Sequence, residues 1–88
     1  MMTVSLDRVR LDTSHGDCDA VLILREGALF GVASRLSASH ADLAGRWFVE
    51  AMFGDRDRWI GTTFSSEHDL IEWAASVDEI EPAQQMRA

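Results

Sequence analysis

Apolar and polar positions alternate along the chain so as to mark several short β-like runs, then one helical run. In "TVSLDRVRL" (3–11), Val4 and Leu6 share one face while Val9 and Leu11 share the other. The phase slips near Asp7–Arg8, which predicts a bulge or bend there. "DAVLILREGALFGVASRL" (19–36) contains two apolar runs around Glu26-Gly27. That pair suits a two-residue hairpin turn, with glycine supplying positive φ. Setting Arg25 opposite Ala28 pairs Leu24 with Leu29, Ile23 with Phe30, Val21 with Val32 and Ala20 with Ala33. Val21, Ile23, Phe30 and Val32 then occupy one face, and Ala20, Leu22, Leu24, Leu29 and Ala33 the other. Both faces of this hairpin are apolar.

"SASHADLAG" (37–45) reads as a connector, with Ser37 able to cap one helical turn that Gly45 ends. "RWFVEAMF" (46–53) fits a strand with Trp47, Val49, Ala51 and Phe53 on one side; a helix is the alternative. After a "GDRDR" loop, "WIGTTF" (59–64) forms a second strand that pairs Phe64 with Trp47, Thr62 with Val49 and Ile60 with Ala51. "SSEHDLIEWAASV" (65–77) predicts a helix. Ser66 is its N-cap with Asp69 three residues on, and Leu70, Trp73, Ala74 and Val77 form its apolar stripe. Pro82 is expected to stop it, leaving 82–88 as a flexible tail. These elements predict one α+β domain over 1–81, a four- or five-stranded antiparallel sheet with one C-terminal helix packed on one face. At 88 residues the chain can bury one core but no deep interdomain cleft.

The order hairpin, "GRWFVEAMF", then a helix with "LIEWAASV" resembles the MbtH-like proteins that assist peptide-synthetase adenylation domains. Those have a small sheet, a Gly-Trp strand and a helix. Their tryptophan–proline strand motif and acidic–tryptophan tail are absent here. The resemblance therefore implies shared architecture and lends no residue a role.

Charge narrows the partners. The formal net charge is −7. Residues 1–66 carry nine acids and seven bases, and residues 67–88 carry six acids and one base, Arg87, so −5 of the −7 lies in the last quarter. An acidic surface repels phosphate backbones and anionic membranes. Direct nucleic-acid binding and membrane binding are not expected; a basic protein partner is. All eight bases are arginine, with no lysine and no tyrosine, which suits a bacterial genome of biased composition. The opening "MMTVSLDRVR" has neither a basic start nor an apolar stretch of signal-peptide length. The single cysteine excludes an internal disulfide and suits a reducing compartment, so a cytoplasmic location is expected.

"HGDCD" (15–19) looks most like chemistry. His15, Asp17 and Cys18 offer metal-ligand types, but adjacent ligands do not easily surround one ion, and no C-x-x-C or H-x-x-x-H spacing adds a partner. Cys18 with His40 or His68 could be drawn as a nucleophile and base, although no local motif singles it out. The segment reads best as a turn, with Cys18 as a small apolar group opening a strand. His68, flanked by two acids in the first helical turn, reads as a solvated residue. No phosphate-cradling glycine loop or G-x-S-x-G motif occurs. No catalytic residue, cofactor or metal is expected.

One helix can cover only one sheet face. The other, expected to carry Val21, Ile23, Phe30 and Val32, needs a barrel closure, the 37–45 connector, or a second chain to shield it. The expectation is a non-enzymatic interaction module, an adaptor or inhibitor, acting as a homodimer or on a protein partner. Trp59 would anchor the contact. Arg56 and Arg58 would grip from the 54–58 loop, and Glu67, Asp69 and Glu72 would steer a basic surface. Two alternatives stay open: a small-molecule pocket at Trp59, Met52 and Arg58, or an inhibitor of a nucleic-acid enzyme, of phage or mobile-element origin.

Overall fold

A computed structural model describes the backbone of residues 2–13 and 16–85 and the side chains of 2–12, 18–37 and 41–78. Five strands form one antiparallel meander: β1 (Val4–Thr13), β2 (Gly16–Arg25), β3 (Ala28–Arg35), β4 (Trp47–Met52) and β5 (Thr63–Phe64). The helix α1 (Glu67–Gln85) follows and packs on one face. The α+β sheet-and-helix architecture expected from the alternation is the one observed.

The hairpin turn forms as its residues require. Glu26 and Gly27 both take positive φ (51° and 80°), the primed-turn geometry that matches strand twist. Arg25 opposes Ala28 and Leu24 opposes Leu29, as predicted. One step further the prediction fails. A bulge between Ile23 and Leu24 sets Ile23 opposite Gly31, leaving Phe30 as the extra residue, and the pairing continues Leu22–Val32, Val21–Ala33, Ala20–Ser34. Phe30 and Ile23 thus still point the same way, but Val32 crosses to the face of Leu22 and Leu24.

Gly31, beside this bulge, lies tight against β4. A Cβ there would lie 2.8 Å from Met52 Sδ and 2.9 Å from the Ala51 carbonyl oxygen. The thioether can swing aside; the backbone oxygen cannot move without parting β3 from β4. Gly31→Ala is expected to cost about 1–2 kcal/mol, the overpacking range, read as a lower urea midpoint with unchanged slope.

β1 contains no bulge: its register with β2 runs unbroken from Val4–Arg25 to Thr13–Gly16. The phase slip in its sequence has another cause. Val4 and Leu6 pack against the core beneath α1, whereas Arg8 meets the first turn of the helix through Glu67. Beyond that point the helix no longer covers the sheet. The helix-side positions Arg10 and Asp12 are exposed, and the apolar residues Val9 and Leu11 lie on the opposite face.

Residues 46–53 contribute a strand, β4, and Trp47 opposes Phe64 as expected. The run 59–64 is strand only at its end, because a 3-10 turn occupies Asp57–Trp59. Val49 still bonds the segment, donating to Thr62 O at 2.9 Å and accepting from Gly61 N at 2.9 Å. The connector forms a 3-10 segment, Ala38–Leu43, after Ser37, whose side chain makes no cap bond.

Ser66 caps α1: its Oγ accepts from the Asp69 N–H at 3.1 Å. Leu70, Ala74 and Val77 are fully buried, with Trp73 beside them, so the predicted stripe is the packed one. The helix runs past residue 77 and through Pro82. An interior proline forfeits its own N–H bond and crowds the carbonyl four residues back, but it need not end the ladder. Residues 86–88 of the expected tail lie outside the described residues.

Candidate functional site

The core fills one side of the sheet. Val21, Ile23, Phe30, Ala33, Trp47 and Val49 meet Leu70, Ala74 and Val77 there. Three residues expected on the uncovered face, Val21, Ile23 and Phe30, are therefore interior, at 0, 0 and 3% exposure. The side on which α1 packs decides this, and the bulge moves only Val32 to the other face. Val32 alone of the four lies on the uncovered side.

That side is apolar in its own right. Val9, Leu11, Leu22, Leu24, Val32 and Phe48 occupy it by register, all half-buried. Ala20 and Ser34 fill the centre at 1% and 3% exposure, and Leu29, at 42%, stands at the edge. No described element packs over this face. Polar groups frame the patch. Ser34 Oγ donates to Glu50 Oε2 at 2.5 Å, and Arg46 donates from Nε to Thr63 Oγ1 at 3.1 Å.

The acidic helix does not share this surface. It lies on the opposite side of the sheet, and Glu67, Asp69 and Glu72 are each engaged within the chain. Glu67 Oε2 pairs with Arg8 Nη2 at 2.6 Å, Asp69 Oδ2 accepts from Ser65 Oγ at 2.7 Å, and Glu72 lies 3.2 Å from His68 Nε2. Glu67, Asp69 and Glu72 therefore lie on the other side of the sheet from the apolar patch.

The 54–58 loop also differs from its reading. Arg56 is no exposed grip. Its Nε and Nη2 bond Asp78 at 3.1 and 2.8 Å, and its Nη1 donates to the Phe53 carbonyl at 2.7 Å. Arg25 Nη2 joins the same carboxylate at 2.6 Å. Both guanidiniums lie over the Phe30 ring, 4.4 and 4.8 Å from its centroid. Arg25 Nη1 is buried with no hydrogen-bond acceptor, and the ring's negative π face stands in for one. Hydrogen bonds from Arg56 and then Arg25 hold the Asp78 carboxyl well below the usual carboxylate range, against a smaller opposing effect of burial. This latch ties α1 to the β2–β3 turn and to the loop after β4. Sequence reasoning missed it, since no local pattern marks Asp78.

Trp59 is half-buried. It meets Trp73 edge-on at 5.8 Å, and Trp73 also contacts Phe30 and Phe64. Its ring serves the core margin rather than an open pocket. Arg58 is exposed. Two cavities open elsewhere. One of about 270 Å3 is lined by Arg25, Leu29, Phe30 and Arg56. The other, of about 610 Å3, lies where the sheet outruns the helix, between Arg10, Asp19 and Arg35. Neither is lined by Trp59, Met52 or Arg58.

"HGDCD" resolves mostly as strand rather than turn, because Gly16–Asp19 open β2. His15 lies outside the described residues, as do the side chains of Asp17 and His40. Cys18 is a half-buried free thiol opposite Leu11. Among the described residues, no group of three His, Cys, Asp or Glu side chains is placed to hold a metal ion, and no helix is long and apolar enough to cross a membrane. No protein-family model, curated protein or solved structure matches this chain.

Proposed function

We propose that this chain is a non-enzymatic interaction module, an adaptor or inhibitor, that binds another protein through the sheet face opposite α1. The observation that carries this reading is the uncovered patch of Val9, Leu11, Leu22, Leu24, Val32 and Phe48. An exposed apolar surface of that extent is costly in a small domain and commonly marks a contact site. The unpaired thiol of Cys18 suits work in a reducing compartment such as the cytoplasm.

The magnitudes set the kind of contact. Completing the burial of a half-covered Val, Leu or Phe yields about 1 kcal/mol each, so the patch offers roughly 6 kcal/mol in gross terms. Association itself costs about 4–15 kcal/mol. The apolar face alone gives at most a weak complex, and polar groups around it must decide partner and affinity.

The test uses two variants with the same fold. Leu22→Asp puts a charge in the patch opposite Asp7; a cost of about 1–2 kcal/mol is expected from the like-charge pair and the lost packing, and a melting curve confirms that the variant is folded before binding is read. Arg58→Ala alters the exposed loop on another part of the surface. A protein recovered with wild type is purified and rebound in isolation. At least 100-fold weaker binding by Leu22→Asp, with Arg58→Ala unchanged, supports the reading. Equal binding by Leu22→Asp overturns it.

A further inference from the structure

We infer that two copies of this chain pair through the outer edge of β1, antiparallel and centred on Leu11, so that their sheets join into one. This concerns the edge of the sheet and is independent of the docking role proposed above for its face. β1 is the outermost strand on its side and runs for 10 residues with no proline and no bulge. The opposite edge, β5, has only 2 residues. The Glu26 N–H donates to the Thr3 carbonyl at 2.9 Å, which fixes the phase of the ladder: odd-numbered residues of β1 bond to β2. The backbone N–H and C=O groups of Val4, Leu6, Arg8, Arg10 and Asp12 therefore point away from the sheet. Such an edge is a template for another strand. Among the described residues no strand lies along it.

The side chains select which strand fits. Two β1 edges meet antiparallel about a two-fold axis normal to the sheet. Each workable register is centred on one residue opposite its own copy, because a centre between residues would set outward groups against inward ones. A seam of ordinary strand length, about five residues, allows centres from Leu6 to Leu11. Centres at Asp7, Arg8 and Arg10 set each of those charges against itself, and a centre at Val9 sets Arg8 against Arg10 twice. A centre at Leu6 matches no opposite charges and lies where α1 covers the sheet. With Leu11 at the centre, Leu11 meets Leu11 and Arg10 meets Asp12 twice. Within its own sheet Asp12 stands opposite a second acid, Asp17, and Arg10 stands opposite Asp19. The second copy thus brings Arg10 to the open side of Asp12, and acid and base alternate from Asp19 through Arg10 to that copy's Asp12. Opposite charges across strands stabilise the pairing and like charges destabilise it. The helix covers the sheet only as far as Arg8, so residues 9–13 meet clear of both helices. Each Arg10–Asp12 pair exchanges two backbone bonds, about four in all. The seam is short, and the dimer it makes depends on concentration.

Sedimentation of the full chain from about 10 μM to about 1 mM, with amide hydrogen exchange at both ends of the range, tests the seam. Ionic strength of about 0.15 M screens the −7 charge of each copy beyond about 8 Å. The expected result is a monomer–dimer equilibrium in which the Arg10 and Asp12 amides gain protection at high concentration. Those of Val4 and Leu6, on the same edge, should not. Asp12→Arg and Arg10→Asp each set like charges opposite one another and should weaken self-association at least about tenfold. The double variant Arg10→Asp/Asp12→Arg exchanges the two charges and should restore it, which a folding defect in either single variant would not allow. A monomer throughout the range overturns the inference. So does a dimer that both single variants leave intact, or a double variant that stays monomeric. A dimer split by Leu22→Asp, with the Arg10 and Asp12 amides still unprotected, overturns it as well, because the second copy would then sit on the sheet face.

Discussion

Leu70→Ala should lower unfolding stability by about 3–4 kcal/mol, the largest effect of any single truncation considered, because it empties the centre of the apolar contact between helix and sheet. Leu70 is fully buried one turn after the Ser66 cap, and it belongs to the cluster that includes Ile23, Val21 and Val49. Its neighbours are held by strand pairing on one side and by the helix on the other, so the space cannot collapse fully. For a domain of this length the loss corresponds to a melting temperature lower by about 15–25 °C. Calorimetry or a urea midpoint checks it. A drop under 1 kcal/mol would mean that the helix contributes little to the core.

The second large effect concerns acid. Asp78→Ala should cost about 2–3 kcal/mol at neutral pH, since it leaves two guanidiniums facing each other over Phe30. The figure is set below that of a fully buried pair because the Asp78 side chain is 42% exposed, although Arg25 is only 11% exposed. The pH dependence follows from the lowered affinity of the folded Asp78 for a proton. The unfolded chain binds that proton at about pH 3.9 and the folded chain only in stronger acid. The latch is therefore at full strength above about pH 4 and weakens steadily as the pH falls below that. Wild type should lose stability through this acid range, and Asp78→Asn, already weakened, should show a shallower decline. Parallel pH profiles for the two proteins would remove the latch from the account.

Which parts of this were legible follows from how far each cause acts along the chain. The Glu26-Gly27 turn is local chemistry, two residues with positive φ, and its first two cross-strand pairs come out correctly. The same holds for the Ser66 cap and the Leu70–Val77 stripe, where a period of 3.6 needs no distant partner. The bulge was not legible, because no local pattern in the hairpin marks Phe30 as the extra residue, and the fit of Gly31 against Ala51 and Met52 involves a strand twenty residues on. Missing it placed Val32 on the wrong side of the sheet. β1 shows the reverse case: its phase slip was visible, but the cause is a helix that stops covering the sheet beyond Arg8. Asp78 reaches Arg56 across 22 residues and Arg25 across 53, so nothing near it in sequence announces its role. For the candidate site, the two apolar faces of the hairpin could be seen, whereas which one the helix covers is settled by packing of Leu70, Ala74 and Val77 against strands forty and more residues away.

The meander order has a temporal meaning as well. Each strand lies beside the one made just before it, and the helix that covers the core is the last element of the chain. At roughly 5–20 residues per second of synthesis, the strands are complete about 1–4 seconds before the 19 residues of the helix that will shield one face. A chain interrupted anywhere between Phe64 and Val77 would thus expose Ile23, Val21 and Phe30 together with the docking face, and would behave as a sticky sheet rather than a weaker version of the same protein.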